Sequence, residues 1–287
     1  MRIILALVAV FAAAAGPACA AQDESGSDGG LEVVAALFPL AEVARAVGGD
    51  AVRVTDLTPT GVEPHDFELK PSDVELIQDA DLVIVIGGGF QPAVERAAVR
   101  GGAEALTLLP PDEDDPHLWL NPVEMKRVAA EIARRLTELR ERDRPAFAAR
   151  AAKFSAAMAA LDGEFRAGLA NCERRTLVTA HGAFGHLARR YGLEQVGIAG
   201  IDPSAEPSPA RLDELSGLVR GKGVTTVFTE TLVSPRVAEA LAREAGVRTA
   251  VLDPVEGVAK RDADRGVGYT TLMRRNLAAI RSALGCR

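Results

Sequence analysis

Histidine, cysteine and aromatic residues are all scarce in this sequence, which holds four histidines, three cysteines, one tryptophan and two tyrosines among 287 residues. A surplus of positive charge is missing as well, with 33 Lys plus Arg against 40 Asp plus Glu and a net charge of -7. That balance argues against nucleic acid as a partner, because phosphate binding draws on a clustered basic surface. Beyond the N-terminus there is no run of about 20 apolar residues, the length that spans a bilayer. Familiar catalytic signatures are also absent. Gly87, Gly88 and Gly89 lack the Gly-Lys-Ser/Thr of a phosphate loop and the spacing of a dinucleotide fingerprint, so they read as a turn. Ser204, Ser208 and Ser216 are near no histidine in sequence and form no nucleophile elbow.

What is present is a chain long enough for two ordinary domains, with 48% apolar residues to give each a core. Residues 1-20 read as an export signal: Arg2, an apolar run from Ile3 to Ala15, then Gly16, Pro17, Ala18 and Cys19. Cys19 is a candidate lipidation site, followed by a polar tether over 21-30; cleavage after Ala18-Cys19-Ala20 is the alternative, and it discards the cysteine. Either way the protein is expected outside the cytoplasm, in the periplasm or on the outer face of the plasma membrane, with membrane contact through a lipid if Cys19 is modified. Cys172 and Cys286 then remain. In an oxidising compartment they are a candidate disulfide, or two unrelated free thiols.

From Leu31 onward short apolar runs alternate with helical patterns, the signature of an α/β fold with parallel sheets. Strands are predicted over 31-37, 52-57 and 82-86, with a helix opening at Ser72 and Glu75 as a capping box. Asn121, Pro122 and Glu124 mark another helix start, and Val128, Ile132, Leu136 and Leu139 fall on one face of it. An alanine-rich stretch from Pro145 to Leu169 has no internal proline and reads as one continuous connector. The second half repeats the logic, with strands at 176-179, 196-198, 224-228 and 247-252, helices between them, and a closing helix at 270-284. The expectation is two α/β lobes, 31-143 and 172-287, joined by a helix over 144-171, with a cleft between them.

In open α/β sheets ligands bind beyond the carboxyl ends of the strands. His181, Glu230 and Asp253 each follow a predicted strand, His65 lies in the loop after the strand ending near Leu57, and His117 comes four residues before the cap at Asn121. A lone histidine is usually a hydrogen-bonded structural residue; three in equivalent places suggest a metal site. Imidazoles with one carboxylate are the donor set Zn²⁺ accepts. His186, five residues after His181 in a predicted helix, points about 140° away and reads as a packing or surface residue. The acidic run Asp112 to Asp115 reads as a solvated loop.

Gly61-Val62-Glu63-Pro64-His65-Asp66-Phe67-Glu68, Asp115-Pro116-His117-Leu118-Trp119-Leu120-Asn121-Pro122 and His181-Gly182-Ala183-Phe184-Gly185 resemble, in order, motifs of the zinc and manganese solute-binding proteins of ABC importers. Glu206-Pro207-Ser208-Pro209 and Leu252-Asp253-Pro254 fit the same family. The resemblance implies two Rossmann-like lobes bridged by a long rigid helix, with metal in the interlobe cleft. Carried over by position, it makes His65, His117, His181 and Asp253 the metal ligands and leaves Glu230 as a support for a ligand. It also implies a membrane permease as partner, a monomer, and no catalysed reaction. An imidazole at 181, where manganese-binding members place a carboxylate, favours Zn²⁺ over Mn²⁺. A manganese or iron(II) carrier is the alternative of the same class, and a zinc hydrolase or a surface adhesin the alternative of another; the hydrolase lacks support from any His-Glu-x-x-His helix. The histidine-rich loop common in zinc-type members is missing, replaced by the short stretch Pro110 to Asp115.

Overall fold

A computed structural model describes residues 29–287, so the export segment, Cys19 and most of the tether lie outside the described residues. The first half forms a sheet from β1 (Leu31–Ala35), β2 (Val52–Asp56), β3 (Leu82–Val85) and β4 (Glu104–Thr107), all parallel and ordered β2-β1-β3-β4. The central strands read Leu-Glu-Val-Val-Ala and Leu-Val-Ile-Val, the near-continuous apolar pattern of strands covered on both faces. Helices α1 (Phe38–Gly48), α2 (Pro71–Gln78), α3 (Pro92–Arg100) and α4 (Pro122–Leu139) are interleaved with the strands or follow them.

After α5 (Arg144–Leu169) the second half repeats the plan with β5 (Thr176–Thr179), α6 (Gly185–Tyr191), β6 (Glu194–Gly197), α7 (Pro209–Gly221), β7 (Thr226–Thr229), α8 (Arg236–Ala245) and β8 (Arg248–Val251), closed by α9 (Lys260–Ala263) and α10 (Tyr269–Leu284). Its sheet is parallel in the order β6-β5-β7-β8. The expected class, two parallel-sheet α/β lobes with a long helix, is what forms. In both sheets the strand order reverses at the central pair, so each lobe has a crevice at the carboxyl ends of β1/β3 or β5/β7.

Helix α5 has 26 residues, about 39 Å at 1.5 Å each. Phe147, Ala151, Met158, Leu161 and Phe165 are buried along it and Phe154 partly so, at spacings of three and four residues that hold one face to its neighbours. It touches α1 and α4 of the first half and α6 and α10 of the second. Just beyond its end Cys172 is disulfide-bonded to Cys286, which follows α10. A single apolar cluster runs from Val33, Ile84 and Trp119 through Phe165 to Phe228, Leu252 and Met273, so the lobes share one core. A second cluster, with Val178, Val227, Leu215 and Leu241, fills the far face of the second sheet.

Several local expectations need correction. The helix expected to open at Ser72 begins at Pro71, and the Asp73 carboxylate accepts the Lys70 backbone N–H at 2.8 Å, so Ser72 sits inside the first turn. Leu139 ends α4 exposed rather than on the buried face. Helix α6 starts at Gly185, leaving His181 in the preceding turn. The half-buried edge strand β4 and helices α1, α3 and α9 were not anticipated. The cap at Asn121 stands: its side chain accepts the Val123 N–H at 3.0 Å, and Pro122 occupies the first turn. The Gly87 to Gly89 turn follows β3 with φ of 94°, 68° and 80°, backbone that side chains rarely adopt.

Candidate metal centre

Each carboxyl-end crevice delivers ligand-type side chains into the space between the lobes. His65 lies in a short 3-10 turn, Pro64–Asp66, in the loop after β2, and His117 precedes a second such turn, Leu118–Leu120, after β4. From the second lobe, His181 follows β5, and Glu256 sits in the loop after β8. One ligand atom from each of these four residues lies within 4.8 Å of the others. His117, His181 and Glu256 are fully buried, whereas the His65 side chain keeps 8% exposure.

The separations carry the chemistry. Glu256 Oε1 is 3.1 Å from His117 Nε2, 3.3 Å from His181 Nε2 and 3.7 Å from His65 Nε2, and the two buried Nε2 atoms are 3.4 Å apart. A tetrahedral ion with bonds of about 2.1 Å holds its donor atoms about 3.4 Å apart. Four of the six donor separations therefore lie near the edge length of a zinc-sized tetrahedron, and all six are within 4.8 Å. Both Glu256 carboxylate oxygens and His65 Nε2 are buried without a hydrogen bond, an arrangement that a cation compensates.

Behind the donors lie carboxylates. Asp115 Oδ1 lies 2.9 Å from His117 Nδ1 and also accepts the His117 backbone N–H, and Glu230 Oε2 lies 2.8 Å from His181 Nδ1. Each carboxylate orients its ring so that Nε2 faces the centre. Burial opposes the imidazolium of His181, but the Glu230 and Glu256 carboxylates facing its two nitrogens outweigh it and raise its pKa to about 10. His117 is raised in the same way, against burial, by Asp115 and Glu256. Burial also disfavours the charged form of Glu256, yet the three histidines hold it well below the usual carboxylate range. Glu63, buried and beside Glu256, is pushed up to about 9 and is neutral at pH 7.

Asp253 was expected to complete the ligand set and does not join the converging atoms. Its Oδ1 accepts the Val255 N–H at 2.8 Å, and its backbone N–H and C=O are both bonded to the Asn276 side chain, at 2.9 and 2.6 Å. This turn, with Val255 at a φ of 57°, carries Glu256 inward instead. A β-branched residue in left-handed backbone is a genuine outlier and marks a constrained loop. Sequence reasoning passed over Glu256; its only linear signal is a carboxylate three residues beyond a strand-end aspartate.

Asp115 corrects the reading of the acidic run, because it is buried against His117 rather than solvated. His186 fits its expected place as a half-buried packing residue, and it has a defined bond: its Nε2 donates to the Asp115 backbone carbonyl at 2.8 Å. Gly185 permits that approach, since a Cβ there would lie 2.4 Å from Asp115 Oδ2. On the opposite side, Trp119 Nε1 donates to the Pro254 carbonyl at 2.8 Å and the Tyr269 hydroxyl donates to the Trp119 carbonyl at 2.6 Å. The loops bearing His117 and Glu256 are thus bonded to each other across the cleft.

Residues 33–283 match the family model for the ZnuA zinc-uptake complex component A, periplasmic. The chain belongs to this family. Among curated relatives, the high-affinity zinc uptake system protein ZnuA of Bacillus subtilis strain 168 is 32% identical over 283 residues, covering 88% of each chain. Zinc-binding AdcA proteins of Streptococcus pyogenes are equally similar, and the chain spans little more than half of their length, 56% in one strain. Among solved structures, the Zn(II)-bound ZnuA-like domain of Streptococcus pneumoniae AdcA superposes with a TM-score of 0.77 at 32% identity, covering 89% of this chain and 99% of that one. The laminin-binding protein Lmb of Streptococcus agalactiae, described as an adhesin with metal-transporting activity, gives a TM-score of 0.81 at 30% identity, over 89% of this chain and 100% of that one. Among the described residues no helix is long and apolar enough to cross a membrane.

Proposed function

We propose that this protein captures Zn²⁺ outside the cytoplasm and delivers it to the membrane permease of an ABC importer. The observation that carries the reading is the convergence of four donor atoms, three imidazole nitrogens and one carboxylate oxygen, all within 4.8 Å of one another, with the Glu256 oxygen 3.1 to 3.7 Å from the three nitrogens. Its dimensions suit zinc, and its nitrogen-rich donors are a poor match for Mn²⁺, which prefers oxygen and higher coordination. The ligands in this reading are His65, His117, His181 and Glu256, with Asp253 shaping the loop that presents Glu256. Four protein donors close the coordination sphere, leaving no position for the activated water that a zinc hydrolase needs. This fits a carrier rather than an enzyme. Lipidation at Cys19 would keep the monomer beside its permease.

The fourth ligand is tested by two conservative replacements in competition with a chromophoric chelator. Asp253→Asn keeps an oxygen to accept the Val255 N–H and is expected to retain zinc affinity within a few fold, whereas Glu256→Gln removes the anionic donor and is expected to weaken it about a hundredfold or more. The reverse ranking would return the role to Asp253. Competition between Zn²⁺ and Mn²⁺ on the metal-free protein tests the cargo, and a preference for Mn²⁺ would overturn the zinc reading.

A further inference from the structure

The four donors are not held alike. His117 and His181 each have a carboxylate behind Nδ1, Asp115 at 2.9 Å and Glu230 at 2.8 Å. Among the described residues nothing hydrogen-bonds either ring nitrogen of His65, whose nearest ring neighbour is Phe90, edge-on at 4.5 Å. Ring orientation at a metal is set by the group bonded to the far nitrogen, so His65 alone rotates without breaking a hydrogen bond.

The backbone repeats the asymmetry. Segments bearing His117 and Glu256 are joined by the Trp119 to Pro254 bond, and Tyr269 braces the same tryptophan. His186 ties the Asp115 segment to α6 of the other lobe, while Glu230 accepts the His181 backbone N–H at 3.1 Å as well as facing its ring. The His65 turn is secured less directly: Gln91 donates to the Pro64 carbonyl at 3.2 Å, Glu63 accepts the His65 N–H at 3.3 Å, and Gly61, four residues earlier, bonds to Val258. His65 is also the one histidine of the three whose side chain reaches solvent. Hinge opening, by contrast, would have to part a shared apolar core and break the bonds across the cleft.

We infer that His65 is the exchange ligand: zinc enters and leaves by detachment of this one imidazole from a prearranged platform of His117, His181 and Glu256, with the lobes remaining closed. The inference rests on the zinc-binding reading above and specifies how that site opens. Detachment frees one coordination position on the solvent side, where an incoming donor can take hold. His117 and His181 release only afterwards, since each ring is tied from behind, and Glu256 is carried by a loop bonded to Trp119.

Stopped-flow release from the zinc-loaded full chain into EDTA, measured over a range of EDTA concentrations, separates the steps. Wild type is expected to reach a plateau set by the detachment of His65. His65→Ala, with that position already open, is expected to keep one zinc per chain and to release it faster, with a rate linear in EDTA and no plateau. His117→Ala, altered on the buried side, is expected to keep the plateau while binding more weakly. Thermal unfolding of each metal-free variant verifies the fold, and His65→Gln is the second variant should alanine perturb it. A linear wild-type rate, a plateau surviving in both His65 variants, or loss of stoichiometric zinc from both while they remain folded would each overturn the inference. Failure of the wild type to bind zinc would instead refute the underlying function.

Discussion

Lowering the pH should weaken zinc binding far above the usual range of histidine, and the metal-free site shows why. His181 Nε2 faces Glu256 at 3.3 Å while Nδ1 faces Glu230 at 2.8 Å, so the ring sits between two carboxylates and keeps its proton up to about pH 10. Zinc must displace the Nε2 proton to bind. With a pKa of about 10, each unit of pH below 10 costs about tenfold, about 1.4 kcal/mol, so binding at pH 7 bears a proton-competition penalty of about a thousandfold. Glu63, neutral up to about pH 9, sheds a second proton if the arriving cation lowers its pKa. The logarithm of zinc affinity is therefore expected to rise with a slope of at least one per pH unit from pH 6 to 9, and more steeply where His117, also raised, still holds a proton. For the free protein the sign is opposite: a histidine pKa raised from 6.5 to about 10 supplies stability that is complete below 6.5 and lost as pH climbs toward 10. Competitive chelator titrations at pH 6, 7, 8 and 9, corrected for protonation of the chelator, give the slope. A flat profile above pH 7.5, as an ordinary histidine would give, refutes this account of the site.

Two further tests concern the frame around the centre. Trp119→Phe removes the donor to the Pro254 carbonyl and should cost about 1–3 kcal/mol in urea unfolding, together with some zinc affinity, because the loops of His117 and Glu256 lose their link; an unchanged unfolding midpoint would show that the bond contributes nothing. Replacing Cys172 and Cys286 by serine opens a loop of 114 residues, for which chain entropy gives a loss of about 5 kcal/mol, while zinc affinity should stay within a few fold, since the bond lies at the far ends of α5 and α10. A large loss of affinity with little loss of stability would contradict that separation.

The fold was legible where physics acts locally. Asn121 and Pro122 announced α4, and the proline-free run to Leu169 announced α5, because caps and propensity depend on neighbours in sequence. Strand β4 was missed for the complementary reason. Glu-Ala-Leu-Thr carries little strand signal, and its place is fixed by pairing with β3, which no local window contains. Helix α1 opens with no side-chain cap, and Pro39 in its first turn is the one start signal it offers.

The site divides along the same line, and the fourth donor shows where. The histidines were legible because rarity and placement at strand ends suffice to single them out. Asp253 satisfies the placement rule equally well, directly after β8, yet spacing does not say which way the chain turns next. That direction is set by the Asp253 carboxylate holding the Val255 N–H, by Asn276 clamping the Asp253 backbone from α10, and by Val255 taking a φ of 57°. Left-handed backbone at a valine opposes local preference, and it persists only where surrounding bonds over-determine it. Here those bonds are present, and the side chain they deliver is a fully buried carboxylate facing three imidazoles. The residue that most violates local rules therefore adjoins the donor that local reasoning missed, since both follow from one requirement: an anion placed, without hydrogen-bond partners of its own, at the corner of a cation site.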